Sequence, residues 1–213
     1  MNDKLDFLKY RLLQPLPGKD AQYDMAPSYR IKLEEGNEKL LAGVTILLYE
    51  RNNEFYFPLI VRPEYEGAHG GQISLPGGKM DPGDRNLVVT ALRECEEEIG
   101  IEASKIIVLG NLTELFIPVS SFEVHPLIGY FEGIPQFIPQ ASEVVSIIEV
   151  PLELLLNEDT KEFKRVIFNS NEEIVPFFKI GNKMVWGATA MILNEFIQVW
   201  KESKTLYSET RFL

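Results

Sequence analysis

The chain has a single cysteine, Cys95, in 213 residues. No intrachain disulfide can form, and a reducing cytoplasm suits such a chain. Basic residues are in deficit, with 21 Lys and Arg against 32 Asp and Glu and a net charge of −11. That balance argues against a nucleic-acid partner, which needs a basic face. Long apolar runs are missing too. No stretch of about 18 uninterrupted apolar residues occurs, so no membrane-spanning helix is expected. The opening segment, Met1 to Phe7, lacks the apolar core of a signal peptide. No repeat, low-complexity tract or linker divides the sequence. What remains is 45% hydrophobic and 25% charged, the composition of one soluble, cytoplasmic globular domain with a sizeable core.

Periodicity sets out the elements. Asp3 to Leu13 reads as a short helix, with Leu5, Leu8, Leu12 and Leu13 on one side. Pro15 to Pro27 reads as irregular chain that wraps the surface or forms a homodimer contact. Leu40 to Tyr49 and Phe55 to Val61 are β-rich runs around the turn Arg51-Asn52-Asn53, a hairpin pattern. Further strands are expected at Ile106 to Leu112, Val124 to Tyr130 and Val144 to Val150. A helical turn follows at Pro151 to Leu156. A second hairpin, Phe163 to Phe168 with Ile174 to Ile180, turns at Asn169-Ser170-Asn171, and Ala188 to Trp200 is an amphipathic helix. Strands with a few interspersed helices predict an α/β fold: a mixed sheet in an α/β/α sandwich, as one domain. The organisation expected is an N-terminal extension over 1–39, a principal domain over 40–204 and a tail over 205–213.

The chemistry concentrates in Arg93-Glu94-Cys95-Glu96-Glu97-Glu98-Ile99-Gly100. At about 100° per helical residue, Glu94, Glu97 and Glu98 stand within an arc of roughly 100°. Clustered carboxylates repel one another, and a hard divalent cation removes the conflict. A solvated acidic helix face accounts for one or two of them equally well. Upstream, Leu75 to Asp84 is dense in Gly and Pro and reads as a loop. It opens onto a helix over Leu87 to Ile99, whose apolar stripe is Val88, Ala91, Leu92, Cys95 and Ile99. Gly100 stands where a helix-ending glycine belongs. Asp84 reads as the N-cap.

These residues resemble the Nudix hydrolase family, whose box is G-x5-E-x7-R-E-U-x-E-E-x-G-U with U a bulky aliphatic residue. Gly78 opens the pattern, and Arg93 to Ile101 closes it. Asp84 replaces the first Glu, Cys95 replaces an aliphatic residue, and one extra residue lies between Gly78 and Arg93. The stretch Leu59-Ile60-Val61-Arg62 through His69-Gly70-Gly71 to Pro76-Gly77-Gly78 is similar to the additional motif of the coenzyme A pyrophosphatase branch. Pro63, Gly67 and Leu75 depart from it.

The resemblance implies that Glu94, Glu97 and Glu98 bind Mg²⁺ or Mn²⁺ and that Arg93 orients them by charge-assisted hydrogen bonds. It gives Glu97, Arg93 and the distant-loop Glu143 as the catalytic set, with Glu114 and Glu123 as other candidates for the distant carboxylate. Arg62, His69, Gly77 and Gly78 are the substrate-binding candidates. His125 reads as structural. Aromatic residues between 116 and 137 could stack an adenine, although core packing accounts for most of them. The activity implied is hydrolysis of coenzyme A or acyl-CoA to adenosine 3′,5′-bisphosphate and a 4′-phosphopantetheine. Cleavage of ADP-ribose, a dinucleotide or an oxidised nucleotide is the alternative. A Nudix fold that binds a nucleotide without turnover is the non-enzymatic one, and intact glutamates argue against it.

Overall fold

Leu40–Arg51 (β1) alternates its side chains across a sheet. Ile46 and Leu48 enter one hydrophobic cluster, and Leu47 enters another on the opposite face. Glu54–Val61 (β2) pairs with β1 through a two-residue turn. Asn52 and Asn53 both have positive φ, 55° and 64°. That is the left-handed pair that a twist-compatible hairpin turn needs. The computed structural model describes residues 3–30, 39–64, 71–168 and 170–210. His69 and Gly67 lie outside the described residues.

Around β1 the described sheet has eight strands. Ile73–Ser74 (β3) pairs with β2, and Gly77–Lys79 (β4) with β1. Ile106–Asn111 (β5) and Leu115–Ile117 (β6) both pair with Phe122–Phe131 (β7). Ser146–Pro151 (β8) pairs with β2. The β1–β7 pairing is parallel and the others are antiparallel, so the sheet is mixed. A second sheet is antiparallel, with Asn171–Ile180 (β10) between Lys161–Phe168 (β9) and Lys183–Trp186 (β11).

Helices cover both faces, as expected. Asp3–Leu12 (α1) and Gly187–Thr210 (α5) lie on one side. Leu5, Leu8, Phe196 and Trp200 join Ile46, Leu48 and Phe57 there. Leu87–Ile99 (α3) lies on the other, where Cys95 and Ile99 meet Leu47 and Ile60. Leu152–Leu156 (α4) is a short turn of helix after β8.

Several expectations need correction. Leu13 falls beyond the end of α1 and is 78% exposed. The stretch 15–27 contains a helix, Gly18–Tyr23 (α2), which turns Ala21 and Gln22 inward. Gln22 and Gly18 N–H donate to the buried Glu195 carboxylate of α5, and Thr113 donates to it as well. The Gly77–Lys79 segment is a strand rather than loop. The α3 N-cap is Asn86, whose Oδ1 accepts from Val89 N–H at 3.0 Å. Asp84 has another task.

Candidate active site

Arg93 is the hub of α3. Its guanidinium donates to Glu94 Oε1 at 2.8 Å and to Glu97 Oε2 at 2.8 Å. Its other edge forks onto Asp84, at 3.2 Å to Oδ1 and 3.0 Å to Oδ2. A further bond reaches the Lys79 carbonyl. Asp84 also accepts from Thr90 Oγ1 and from Asp81 N–H. Hydrogen bonding from Arg93, first among these influences, holds its carboxyl down at about 2. Asp84 is therefore the back-stop of the arginine, and the cap role passes to Asn86.

The three glutamates are not equivalent. Glu97 is exposed, Glu94 is partly buried, and Glu98 is 1% exposed. Glu98 Oε2 accepts from Gly77 N–H at 2.7 Å, and Oε1 accepts from Arg62 at 3.2 Å. Burial is the main cause that lifts Glu98 to about 7. Arg62 and the Gly77 N–H oppose the shift, while Glu94 and Glu143 add to it. Glu94 is raised as well, again mainly by burial. Arg62 also donates to the Gly77 carbonyl at 2.8 Å and to Ser74 Oγ at 3.2 Å. It thus fastens β4 to the acidic helix.

The distant loop arrives by backbone contacts. Ile138 N–H donates to Ile99 O and Gln140 N–H to Glu98 O, which lays residues 138–144 across the C-terminal end of α3. Glu143, exposed on that loop, acts electrostatically on both Glu94 and Glu98. Glu114 is exposed elsewhere, and Glu123 is engaged by Lys39 and His125 on β7.

The donor set suits a hard cation. It consists of carboxylate oxygens, and burial of Glu94 and Glu98 outweighs the arginine charges beside them, so both carboxyls hold their protons more tightly than usual. Space is reserved beside them, since a Cβ on Gly78 would lie 2.5 Å from Glu94 Oε2. Among the described residues no three acidic, His or Cys side chains are drawn together closely enough to enclose an ion as they stand. Arg93 and Arg62 occupy several of the oxygens. Gly77 is required for a different reason. Its φ is +152°, and a Cβ there would sit 2.4 Å from Gly43 O.

Beside β4 opens a cleft of about 540 Å³, lined mostly by apolar side chains. Arg62, Gly77 and Gly78 stand at one side. Ile117, Phe122 and Trp186 are among the other walls. Arg30, Gln72 and Thr189 also line it, and the sequence reading missed them, as they come from separate stretches without a shared spacing. Phe122 is the aromatic residue of the 116–137 span that lines it.

A NUDIX domain model matches residues 39–170, well over half of the chain. The chain belongs to the Nudix hydrolase family. It is similar to the uncharacterized Nudix hydrolase NudL of Yersinia pestis and of Yersinia pseudotuberculosis. Each is 34% identical over 180 residues, covering 80% of this chain and 90% of the relative. A crystal structure of a MutT/nudix family protein from Enterococcus faecalis has the same fold, with a TM-score of 0.50 at 15% identity. The match covers 86% of this chain and 74% of that one. Nudix hydrolases are pyrophosphohydrolases and generally use a divalent cation such as Mg²⁺ or Mn²⁺. Among the described residues no helix is long and apolar enough to cross a membrane.

Proposed function

We propose that this Nudix hydrolase splits the diphosphate of coenzyme A or an acyl-CoA, releasing adenosine 3′,5′-bisphosphate and a 4′-phosphopantetheine product. The observation that carries the hydrolase reading is the pairing of Glu94 and Glu97 on Arg93, with Glu98 held by the N–H of the glycine strand that borders the cleft. The coenzyme A assignment rests on the resemblance over residues 59–78. It is supported by a cleft that is apolar enough for an adenine or a pantetheine arm and large enough for a nucleotide-sized ligand. Residues 40–204 form the catalytic unit in this reading, which suits a cytoplasmic enzyme with its lone thiol buried.

Glu94, Glu97 and Glu98 would hold Mg²⁺ or Mn²⁺. When bound, the cation supplies charge neutralisation for the diphosphate and a lowered pKa for water. The chain's own residues do the rest. Arg93 is a positioning residue, steered from behind by Asp84 so that Glu94 and Glu97 face the site. Gly77 and Gly78 let the diphosphate approach the backbone. Water attacks one phosphorus, the bond to the bridging oxygen breaks, and Glu143 takes the proton. Arg62 holds the strand in place and also lines the cleft, so Arg62 and His69 are the phosphate-binding candidates from that motif.

The test is product analysis by chromatography, with coenzyme A, ADP-ribose and a nucleotide panel in Mg²⁺ or Mn²⁺. Adenosine 3′,5′-bisphosphate formed from coenzyme A supports the assignment. Cleavage of other compounds alone removes it and keeps the hydrolase. Binding without turnover of any compound favours a nucleotide-binding module.

A further inference from the structure

Arg30 is a buried cation that the catalytic reading leaves unused. It is 9% exposed and lines the same cleft as Gly77 and Gly78. Its placement is built rather than incidental. Ser28, two residues earlier, is bound on both sides to β10: its N–H donates to the Ile174 carbonyl, and its hydroxyl donates to Glu173 and accepts from Ile174 N–H. Arg30 N–H closes a turn onto Pro27 O. Its guanidinium then donates to the Phe116 carbonyl of β6.

That carbonyl is neutral. An arginine has five N–H donors, and among the described residues no carboxylate lies within ion-pair distance of this one. Burial, the largest influence, works against its charged form, and Tyr23 and Tyr29 oppose that shift. Leaving a cation buried and uncompensated is costly. In a chain with 32 acidic residues and a net charge of −11, the absence of a carboxylate partner among the described residues is informative. A ligand anion would complete it.

Register locates that anion. Gly78 of β4 lies opposite Gly43 of β1, and Leu41, two residues before Gly43, lies opposite Glu123 of β7, which lies opposite Phe116 of β6. Three inter-strand steps of about 4.8 Å and two residues of about 3.3 Å along the strand separate Gly78 from the carbonyl that Arg30 holds, roughly 16 Å in all. A phosphorus bound at either end sits about 4 Å from its donor. About 8 Å then remains between the two phosphorus atoms. That span is too long for the two phosphates of one diphosphate. It fits a 5′-diphosphate and a second phosphate on the same ribose.

We propose that Arg30 binds a phosphomonoester on the ribose of the substrate, and so makes the enzyme selective for nucleoside diphosphate derivatives that carry one. The proposal rests on the pyrophosphohydrolase reading above, but its test does not need turnover. Ile117 and Phe122, on the same cleft wall, would flank the base.

Calorimetric titration of adenosine 3′,5′-bisphosphate, adenosine 2′,5′-bisphosphate and AMP provides the test, on the full chain and on Arg30→Gln and Arg30→Lys. The intact chain should bind one bisphosphate at least about tenfold more tightly than AMP, as expected of a bidentate charge-assisted contact. Whichever isomer wins identifies the ribose position. In Arg30→Gln the ratio should fall to about one, chiefly through loss of bisphosphate affinity. Arg30→Lys keeps the charge without the fork and should retain an intermediate ratio. It serves as the readout if the Gln variant fails to fold. Equal affinities in the intact chain, an unchanged ratio in the variants, or equal loss for AMP and bisphosphate would each overturn the proposal. A preserved ratio effect in a chain that cleaves nothing would sink the hydrolase reading and leave this one standing.

Discussion

Glu98 and Glu97 sit one position apart and have opposite surroundings. Glu97 is solvent-facing and, among the described residues, tied only to Arg93, so its charge costs the fold little. Glu97→Gln should cut turnover by about a thousandfold or more, with an unchanged melting temperature. Near-normal turnover would remove Glu97 from the site. Glu98 is different. Its folded-state value of about 7 lies above that of an unfolded glutamate. Below the ordinary glutamate range both states hold the proton. As pH rises from there to about 7 the unfolded chain gives it up first, so the metal-free protein loses stability across that window and then levels off. Glu98→Gln should therefore raise the melting temperature of the metal-free protein at pH 8, have little effect at pH 4, and abolish turnover. A variant destabilised equally at both values would refute this account. That the three carboxylates share a helix face is legible from their spacing. The burial of Glu98 is not, because it depends on β4, on Arg62 and on the 138–144 loop.

At the scale of the element, α3 could be read almost whole. Its apolar stripe, its length and the glycine after it are local properties. Gly100 indeed has φ +74° and returns its N–H to Glu96 O. The choice of cap could not be read, since Asp84 and Asn86 are both able to cap and only tertiary contact with Arg93 assigns them. β4 was hidden for a related reason. Gly-Gly-Lys has poor β-propensity, and it is a strand because two glycines allow a close backbone approach. A Cβ on Gly77 would meet Gly43 O, while a Cβ on Gly43 would meet Leu87 O of α3 at 2.7 Å. Gly77→Ala should thus cost roughly 2–4 kcal/mol in chemical denaturation, because backbone atoms and a positive φ leave no room to relax. A cost below about 0.5 kcal/mol would show that the strand adapts.

For the whole molecule, the family match begins at residue 39, but the core begins earlier. Leu5 and Leu8 are fully buried and Leu12 nearly so, all in the cluster that holds Trp200. At about 1.5–3 kcal/mol per buried leucine, α1 contributes roughly 5–9 kcal/mol before entropy is counted. A domain of this kind has only about 5–15 kcal/mol of net stability. The Gln22–Glu195 contact is lost with the same segment. A chain beginning at residue 39 should lose its cooperative thermal transition and its near-ultraviolet circular dichroism. An unchanged transition would make 1–38 dispensable. The cleft shows the same dependence on long-range assembly. Its walls come from the turn after α2, from β1, β6 and β7, and from the start of α5, and no local pattern announces such a gathering.

The lone cysteine has a consequence at this scale too. Cys95 is fully buried on the inner face of α3, and burial pushes its thiol up, out of the reactive range. The proposed substrate ends in a thiol of its own. An enzyme with an accessible cysteine would be open to mixed disulfides with coenzyme A whenever the cell becomes oxidising. This one offers no sulfur for the exchange. Incubated in its folded state with coenzyme A disulfide, it should gain no mass, and a covalent adduct on the intact protein would show that α3 opens.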